Sequence, residues 1–206
     1  MRCVCRFALV LSLVGCGPAI PQPEVEARGE RTVFRLRHQI MVRYDDEVQV
    51  FEGYMILEGE SFLVKAFAGP GIDLFTVRRD GARHVEEAHV PGLADKLDLE
   101  RVGADIARAY LGGCGALAGG GSVECSFYGE PMREQYDDRG RLLSRTFPAA
   151  HDIGLSVRYA DYSPRVGREL AGAITLSWGK GENEMVIHLL DAQLLEDFDA
   201  SRLAIP

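Results

Sequence analysis

"GYMILEGESFLVKAFAGPGIDLFTVRRDG", residues 53–81, holds short apolar runs divided by glycine and proline punctuation. Runs this short, rich in Phe, Val and Leu and closed by turn residues, suit strands better than helices. Asp80-Gly81 is a hairpin signal, and Gly69-Pro70-Gly71-Ile72 joins two of the runs. Upstream, "EVQVFEGYMILEG" alternates through Val48, Val50, Tyr54 and Ile56. Before the Asp45-Asp46 turn, "TVFRLRHQIMVRY" sets Val33, Arg35 and Arg37 against Phe34, Leu36 and His38. That period near two belongs to half-buried strands. With "ARHVEEAHV" downstream, the region predicts an antiparallel meander of five strands.

The period then lengthens. Over residues 93–111, Leu93, Leu97, Val102, Ile106 and Tyr110 fall close to one face of a 3.6-residue helix. Asp95 or Asp98 can cap its start, and Gly112-Gly113 can end it. Strand-like runs resume at "VECSFYG", and "MREQYD" and "RLLSRTFP" flank a hairpin connection at Asp137-Asp138-Arg139-Gly140. "IGLSVRYADY", "ELAGAITLSWG" and "NEMVIHLL" complete a second set, with a short helix expected over residues 190–198. The fold class is mainly β with one major helix: sheet, helix, sheet.

Residues 1–15 have the parts of a secretory signal: Arg2 and Arg6, the apolar run from Phe7 to Val14, and Gly15 before a cut. Such a run spans about 12 Å as a helix, far short of a hydrocarbon core of roughly 30 Å. Leu13-Val14-Gly15-Cys16 resembles the bacterial lipobox, which implies cleavage before Cys16 and acylation of its sulfur and amino group. Gly17, where Asp would signal retention at the inner membrane, implies by the same resemblance an outer-membrane anchor with the domain facing the periplasm. Residues 16–31, with Pro18, Pro21 and Pro23, read as a flexible tether, and residues 32–206 as one domain.

Removal of the signal takes away Cys3 and Cys5, and lipid would occupy Cys16. Cys114 and Cys125 are then the remaining thiols, and an even remainder in an oxidising compartment predicts a disulfide, with two free thiols as the alternative. The same removal moves the formal charge from -8 to -10. That balance opposes a nucleic-acid binder, which needs clustered Lys and Arg, and opposes charge-driven adhesion to anionic lipid. Attachment to a membrane would come from the acyl chains. No G-x-S-x-G elbow or phosphate-binding glycine loop is present. His84 and His89 fall on opposite faces of a strand, and the other three histidines are scattered. The expectation is a protein that is not an enzyme, with no metal and no cofactor.

A lipobox cysteine, a proline-rich tether and a meander interrupted by a helix, together with the wording of residues 53–81, resemble LolB-type outer-membrane lipoproteins of the LolA/LolB-like group. The resemblance implies a strongly curved antiparallel half-barrel sheet covered by a helix, with an apolar hollow that accepts acyl chains of lipids or lipoproteins. Phe62, Phe67, Phe75, Val102 and Ile106 are the residues expected to line it, alongside Tyr54 and Trp178. LolB proteins carry an exposed leucine after a proline between the third and fourth strands. Here Gly71 follows Pro70, and Ile72 is the nearest apolar candidate for membrane contact, with an inward strand position as its alternative. The competing function is a structural or assembly lipoprotein that docks an envelope protein and holds no lipid.

Overall fold

The alternating stretches become a single antiparallel sheet. The structure is a computed structural model and describes residues 32–44, 47–69, 71–81, 83–115, 119–179, 183–203 and 205. The signal segment, Cys16 and the tether lie outside the described residues, as does Pro70. The strands are β1 (Val33–Tyr44), β2 (Glu47–Glu58), β3 (Ser61–Phe67), β4 (Asp73–Asp80) and β5 (Arg83–Ala88), followed by helix α1 (Leu99–Tyr110). Then come β6 (Gly121–Phe127), β7 (Glu130–Tyr136), β8 (Leu142–Phe147), β9 (Leu155–Ala160), β10 (Ser163–Arg165), β11 (Arg168–Leu170), β12 (Ala173–Trp178) and β13 (Asn183–Leu195). Eleven strands form one sheet in the order β5-β4-β3-β2-β1-β13-β12-β9-β8-β7-β6, and β10 and β11 form a separate hairpin.

The two expected sets of strands are therefore one ladder, joined where β1 pairs with β13 from Val33↔Leu195 to Arg43↔Glu184. That pairing overturns the short helix expected over residues 190–198. Its leucine spacing fits a helix, but Leu190–Leu195 continue β13 because β1 offers an open edge. The register shifts at Arg37/His38, so Asp191 and Leu189 pair while Leu190 bulges out. Further shifts occur at Ala66/Phe67 and Gln135/Tyr136. Bulges of this kind bend strands and increase twist.

The bend is large. From β4 to β7 is eight strand spacings, about 38 Å in a flat sheet at roughly 4.8 Å each. Yet the Arg79 guanidinium of β4 lies 4.7 Å from the ring of Tyr128, in the β6–β7 turn. The Tyr128 hydroxyl also donates to Glu60, in the β2–β3 turn, at 3.1 Å. The two flanks of the sheet curl toward each other around α1.

Inward-facing residues of each strand meet the helix. On β3, Phe62, Val64 and Ala66 point in, while Leu63, Lys65 and Phe67 point out. Asp98 caps α1 by accepting from the Arg101 N–H at 3.0 Å, and Gly112, with φ of 59°, stops it. The helix is shorter than the apolar spacing suggested, because residues 93–97 are taken up by tight turns such as Leu97 N–H to Leu93 O, 2.9 Å. Val102, Ile106, Ala107 and Ala109 pack onto the sheet. Gly103 lets α1 approach β4 so closely that a Cβ there would sit 2.8 Å from Val77 Cγ1. A second cluster on the outer face joins Val33 and Ile56 to Leu203, so the segment after β13 folds back over the sheet. Cys114 and Cys125 are bridged, their Cα atoms 5.6 Å apart, tying the end of α1's exit loop to edge strand β6.

Candidate functional site

Helix α1 is shorter than the sheet is wide, so part of the concave face is left uncovered beyond its C-terminus. There the structure holds a cavity of about 270 Å³. Its floor is Leu36 of β1, Ile174 of β12, and Ile187 and Leu189 of β13. Ala109 and Tyr110 at the end of α1 form one wall, and Leu170 and Ala171 of the β10–β11 hairpin form the other. The hairpin turns through Val166 and Gly167, both at positive φ (45° and 75°), the twist that a two-residue hairpin loop requires. It is docked through the β13 bulge: Arg165 Nη1 donates to the Leu190 carbonyl at 3.1 Å, and Leu189 N–H donates to Gly172 O at 2.9 Å.

Exposed Arg168 and Glu169 of the hairpin also line this hollow, and the buried polar side chains that enter it have their hydrogen-bonding groups used by the protein itself. His38 Nε2 and the Tyr110 hydroxyl share a hydrogen bond of 2.9 Å. Burial lowers the His38 pKa to about 4, so its ring is neutral at neutral pH. The Tyr159 hydroxyl donates to Ala109 O at 2.7 Å, and burial holds its phenol above the usual range. Tyr162 donates to Leu142 O at 2.5 Å, its pKa pushed up to about 12 by desolvation. Arg145 binds the free carbonyls at the end of α1: Arg108 O and Leu111 O at 2.8 Å and Gly112 O at 2.5 Å. It also pairs with Glu134 at 2.8 Å. Glu134 in turn accepts from the Tyr136 hydroxyl at 2.5 Å and the Cys114 N–H at 2.7 Å. A guanidinium at a helix C-terminus matches the negative end of the dipole. The net result is an apolar floor fixed by a buried polar frame.

A second buried polar group ties the helix to the sheet. Asp105 accepts from Trp178 Nε1 at 2.8 Å and from Arg108 at 2.8 Å, and lies 2.7 Å from His151 Nε2. Among the described residues His151 Nε2 bonds only to Asp105 and Arg108, and no serine, threonine or cysteine side chain bonds to it. Among the described residues no group of three or more metal-ligating side chains converges.

The residues expected to line a hollow are placed elsewhere. Phe62, Phe75, Val102 and Ile106 fill the closed core between α1 and the sheet. Phe67 faces outward against Tyr54, ring centroids 5.6 Å apart, because it is an odd number of residues from Phe62 on the same strand. Trp178 is buried against Asp105. Ile72 is 53% exposed at the β3–β4 turn, and Val48 and Val50 are exposed near the neighbouring β1–β2 turn. The hollow's own residues are His38 of β1, Arg145 of β8, Tyr159 of β9 and Tyr162 just after it, segments that span more than 120 positions of the sequence. The available signal was parity: His38 alternates in phase with Phe34 and Leu36, on a face otherwise apolar.

No family model and no curated protein sequence matches this chain. Its fold is similar to solved structures. One is a LolA superfamily protein from Nitrosomonas europaea, at TM-score 0.53 and 11% identity, covering 86% of this chain and 92% of that one. Another, from Vibrio parahaemolyticus, is described as a domain of an outer membrane lipoprotein-sorting protein, at TM-score 0.50 and 9% identity, covering 83% of this chain and 88% of that one. At these identities the likeness establishes a LolA-like fold.

Proposed function

We propose that this chain is a lipid-anchored protein of the bacterial cell envelope that binds acyl chains, of lipids or of lipoproteins, in the hollow between α1, the β10–β11 hairpin and the sheet. The observation that carries this is the cavity itself: an apolar floor, with each intruding tyrosine, His38 and Arg145 already bonded within the protein, and the other charged groups confined to the exposed Arg168 and Glu169 of the hairpin. Such a surface offers a ligand burial of alkyl groups and little else. The LolA-like fold and the lipobox-like Cys16 support the same reading. Binding without chemistry agrees with the Asp105–His151 pair, which serves to hold α1. Cys16 carries the anchor and places the domain at the outer membrane, facing the periplasm. Ile72, with Val48 and Val50, is the apolar edge that meets a membrane during transfer.

Lipid extraction from the purified protein followed by mass spectrometry tests the binding. Acyl-chain amphiphiles in stoichiometric amount are expected, as is uptake of a fluorescent alkyl probe. Lack of both would overturn the proposal in favour of a module that docks protein. For the anchor, Cys16→Ser should abolish incorporation of a palmitate analogue, and undiminished labelling would refute it.

A further inference from the structure

The face of the β10–β11 hairpin that looks onto the hollow carries two arginines. Arg165 and Arg168 are directly opposed across the hairpin's turn, and Ser163 is opposed to Leu170 two positions further on. Residues opposed in an antiparallel pair share a face, and Arg168 and Leu170 both line the hollow, so this face is the cavity side. The Arg168 guanidinium carbon lies 5.1 Å from the centre of the Phe34 ring, on β1. Arg165 donates to the Leu190 carbonyl and, at 3.3 Å, to the Ser163 hydroxyl. Those partners are all neutral. Among the described residues neither guanidinium has a carboxylate within ion-pair distance, and the N–H groups of Arg168 bond to nothing. Glu169 also lines the hollow, but alternation sets it on the other face of the hairpin, and no ion pair joins it to either arginine. Like charges set opposite each other across a strand pair are destabilising. The chain has 31 acidic side chains against 23 basic ones, yet no described carboxylate is placed to neutralise this pair. The rim beneath Arg168 is apolar: Phe34 is opposed by Leu57 on one side and by the exposed Leu194 on the other.

We infer that the hollow's ligand is an amphiphile with an anionic head, a carboxylate or a phosphate, held by Arg168 at the mouth while its alkyl chain passes Phe34, Leu57 and Leu194 into the cavity. This rests on the hollow holding an acyl chain. A cation–ring contact consumes no N–H group, so Arg168 keeps its directed donors for the head. Arg165, fixed to the β13 bulge beside it, adds its positive field. An anion bound there relieves the repulsion between the two guanidiniums. A neutral head leaves that repulsion as it stands, and a cationic head adds a third like charge. The apolar cavity alone would treat all heads on one chain length equally.

The test is displacement of N-phenylnaphthylamine, an uncharged fluorescent probe, from the purified full-length protein at neutral pH. The competitors are dodecanoate, dodecyl phosphate, monododecanoylglycerol and dodecyltrimethylammonium, each below its micelle-forming concentration. An exposed charge pair is worth up to about fivefold in affinity. Dodecanoate and dodecyl phosphate should therefore bind about fivefold tighter than the glycerol ester, with the ammonium weakest, and added salt should shrink the gap. Arg168→Gln should weaken both anions about fivefold and leave the glycerol ester unchanged, and Arg168→Glu should put the ammonium ahead of the anions. A preference for dodecanoate assigns a fatty acid and one for dodecyl phosphate a phospholipid head, and either supports the anion. If all four displace the probe equally, or Arg168→Gln keeps the wild-type ranking, the head assignment is overturned while the hollow stands. If Arg168→Gln weakens the neutral ester as much as the anions, Arg168 acts by packing on Phe34 and the assignment is overturned as well. If the probe does not bind, or none of the four displaces it, the acyl-chain reading fails and this one with it.

Discussion

Replacing Arg145 by Met should unlatch the end of α1. In the native protein this guanidinium is almost fully buried, pairs with Glu134 at 2.8 Å, and donates to four carbonyls at the helix terminus. Met fills similar space but returns none of those bonds. Glu134, itself fully buried, keeps only the Tyr136 hydroxyl and the Cys114 N–H. Removing one partner of a buried ion pair typically costs about 3–5 kcal/mol, because the other charge is left uncompensated. For a domain of this size each kcal/mol lowers Tm by about 2–4 °C, so a fall of roughly 6–20 °C is expected. Glu134→Gln in the same chain removes the stranded charge and should recover part of the loss. The helix carbonyls stay unbonded, so recovery will be incomplete. Thermal and urea unfolding of wild type, both single variants and the double variant form the cycle, with a coupling of about 1–3 kcal/mol expected. A single variant within about 1 kcal/mol of wild type, or a double variant as unstable as the sum of the singles, would refute the latch.

Gly103→Ala should destabilise by about 1–2 kcal/mol, since the added methyl meets a stiff, buried valine at 2.8 Å, and that overpacking exceeds the gain of up to about 1 kcal/mol from removing a helical glycine. Chemical denaturation decides the sign, and a rise in stability would show that α1 can shift. His38 has a folded pKa of about 4, below the ordinary 6.5, so its unfolded form takes up protons first as pH falls. The stability it contributes is complete above about pH 6.5 and is lost toward pH 4. The window is worth about 3 kcal/mol, and urea midpoints measured against pH in wild type and His38→Phe should diverge across it. Opening the Cys114–Cys125 bridge should cost about 3 kcal/mol through chain entropy, read from unfolding with and without reductant. Thiol counting on denatured protein should find neither cysteine reactive before reduction.

Sheet and helix were legible because their evidence is local. Alternation in β3 and β4 needs only its own residues, and Asp98 caps α1 within one turn. The misreadings share a cause. Residues 190–198 carry helical spacing, yet their state is decided by β1, which lies more than 145 residues earlier. The hairpin of β10 and β11 turns on Val166-Gly167, without the Asn or Asp that advertises such loops. The hollow is harder still. Which inward-facing residues become core and which become cavity depends on where α1 ends on a bent sheet. Phe62 and Phe75 point inward as expected and are simply covered by it. His38 and Arg145 look like ordinary strand polar residues until the helix terminus arrives to bond them.

The pairing of the first strand with the last also sets the order of events during synthesis. β1 acquires one neighbour as soon as β2 is made, but its other edge waits for residues 184–195. Until then an open row of N–H and C=O groups from Val33 to Arg43 is a template for strands of other chains. The nascent molecule stays exposed to aggregation until β13 has been made, and loops closed over such distances form slowly. A chain cut short before β13 would also strip β12 of a neighbour, leaving two interior strands as edges. Arg35, Arg37 and Arg43, exposed along β1, are the charges that keep this waiting edge soluble.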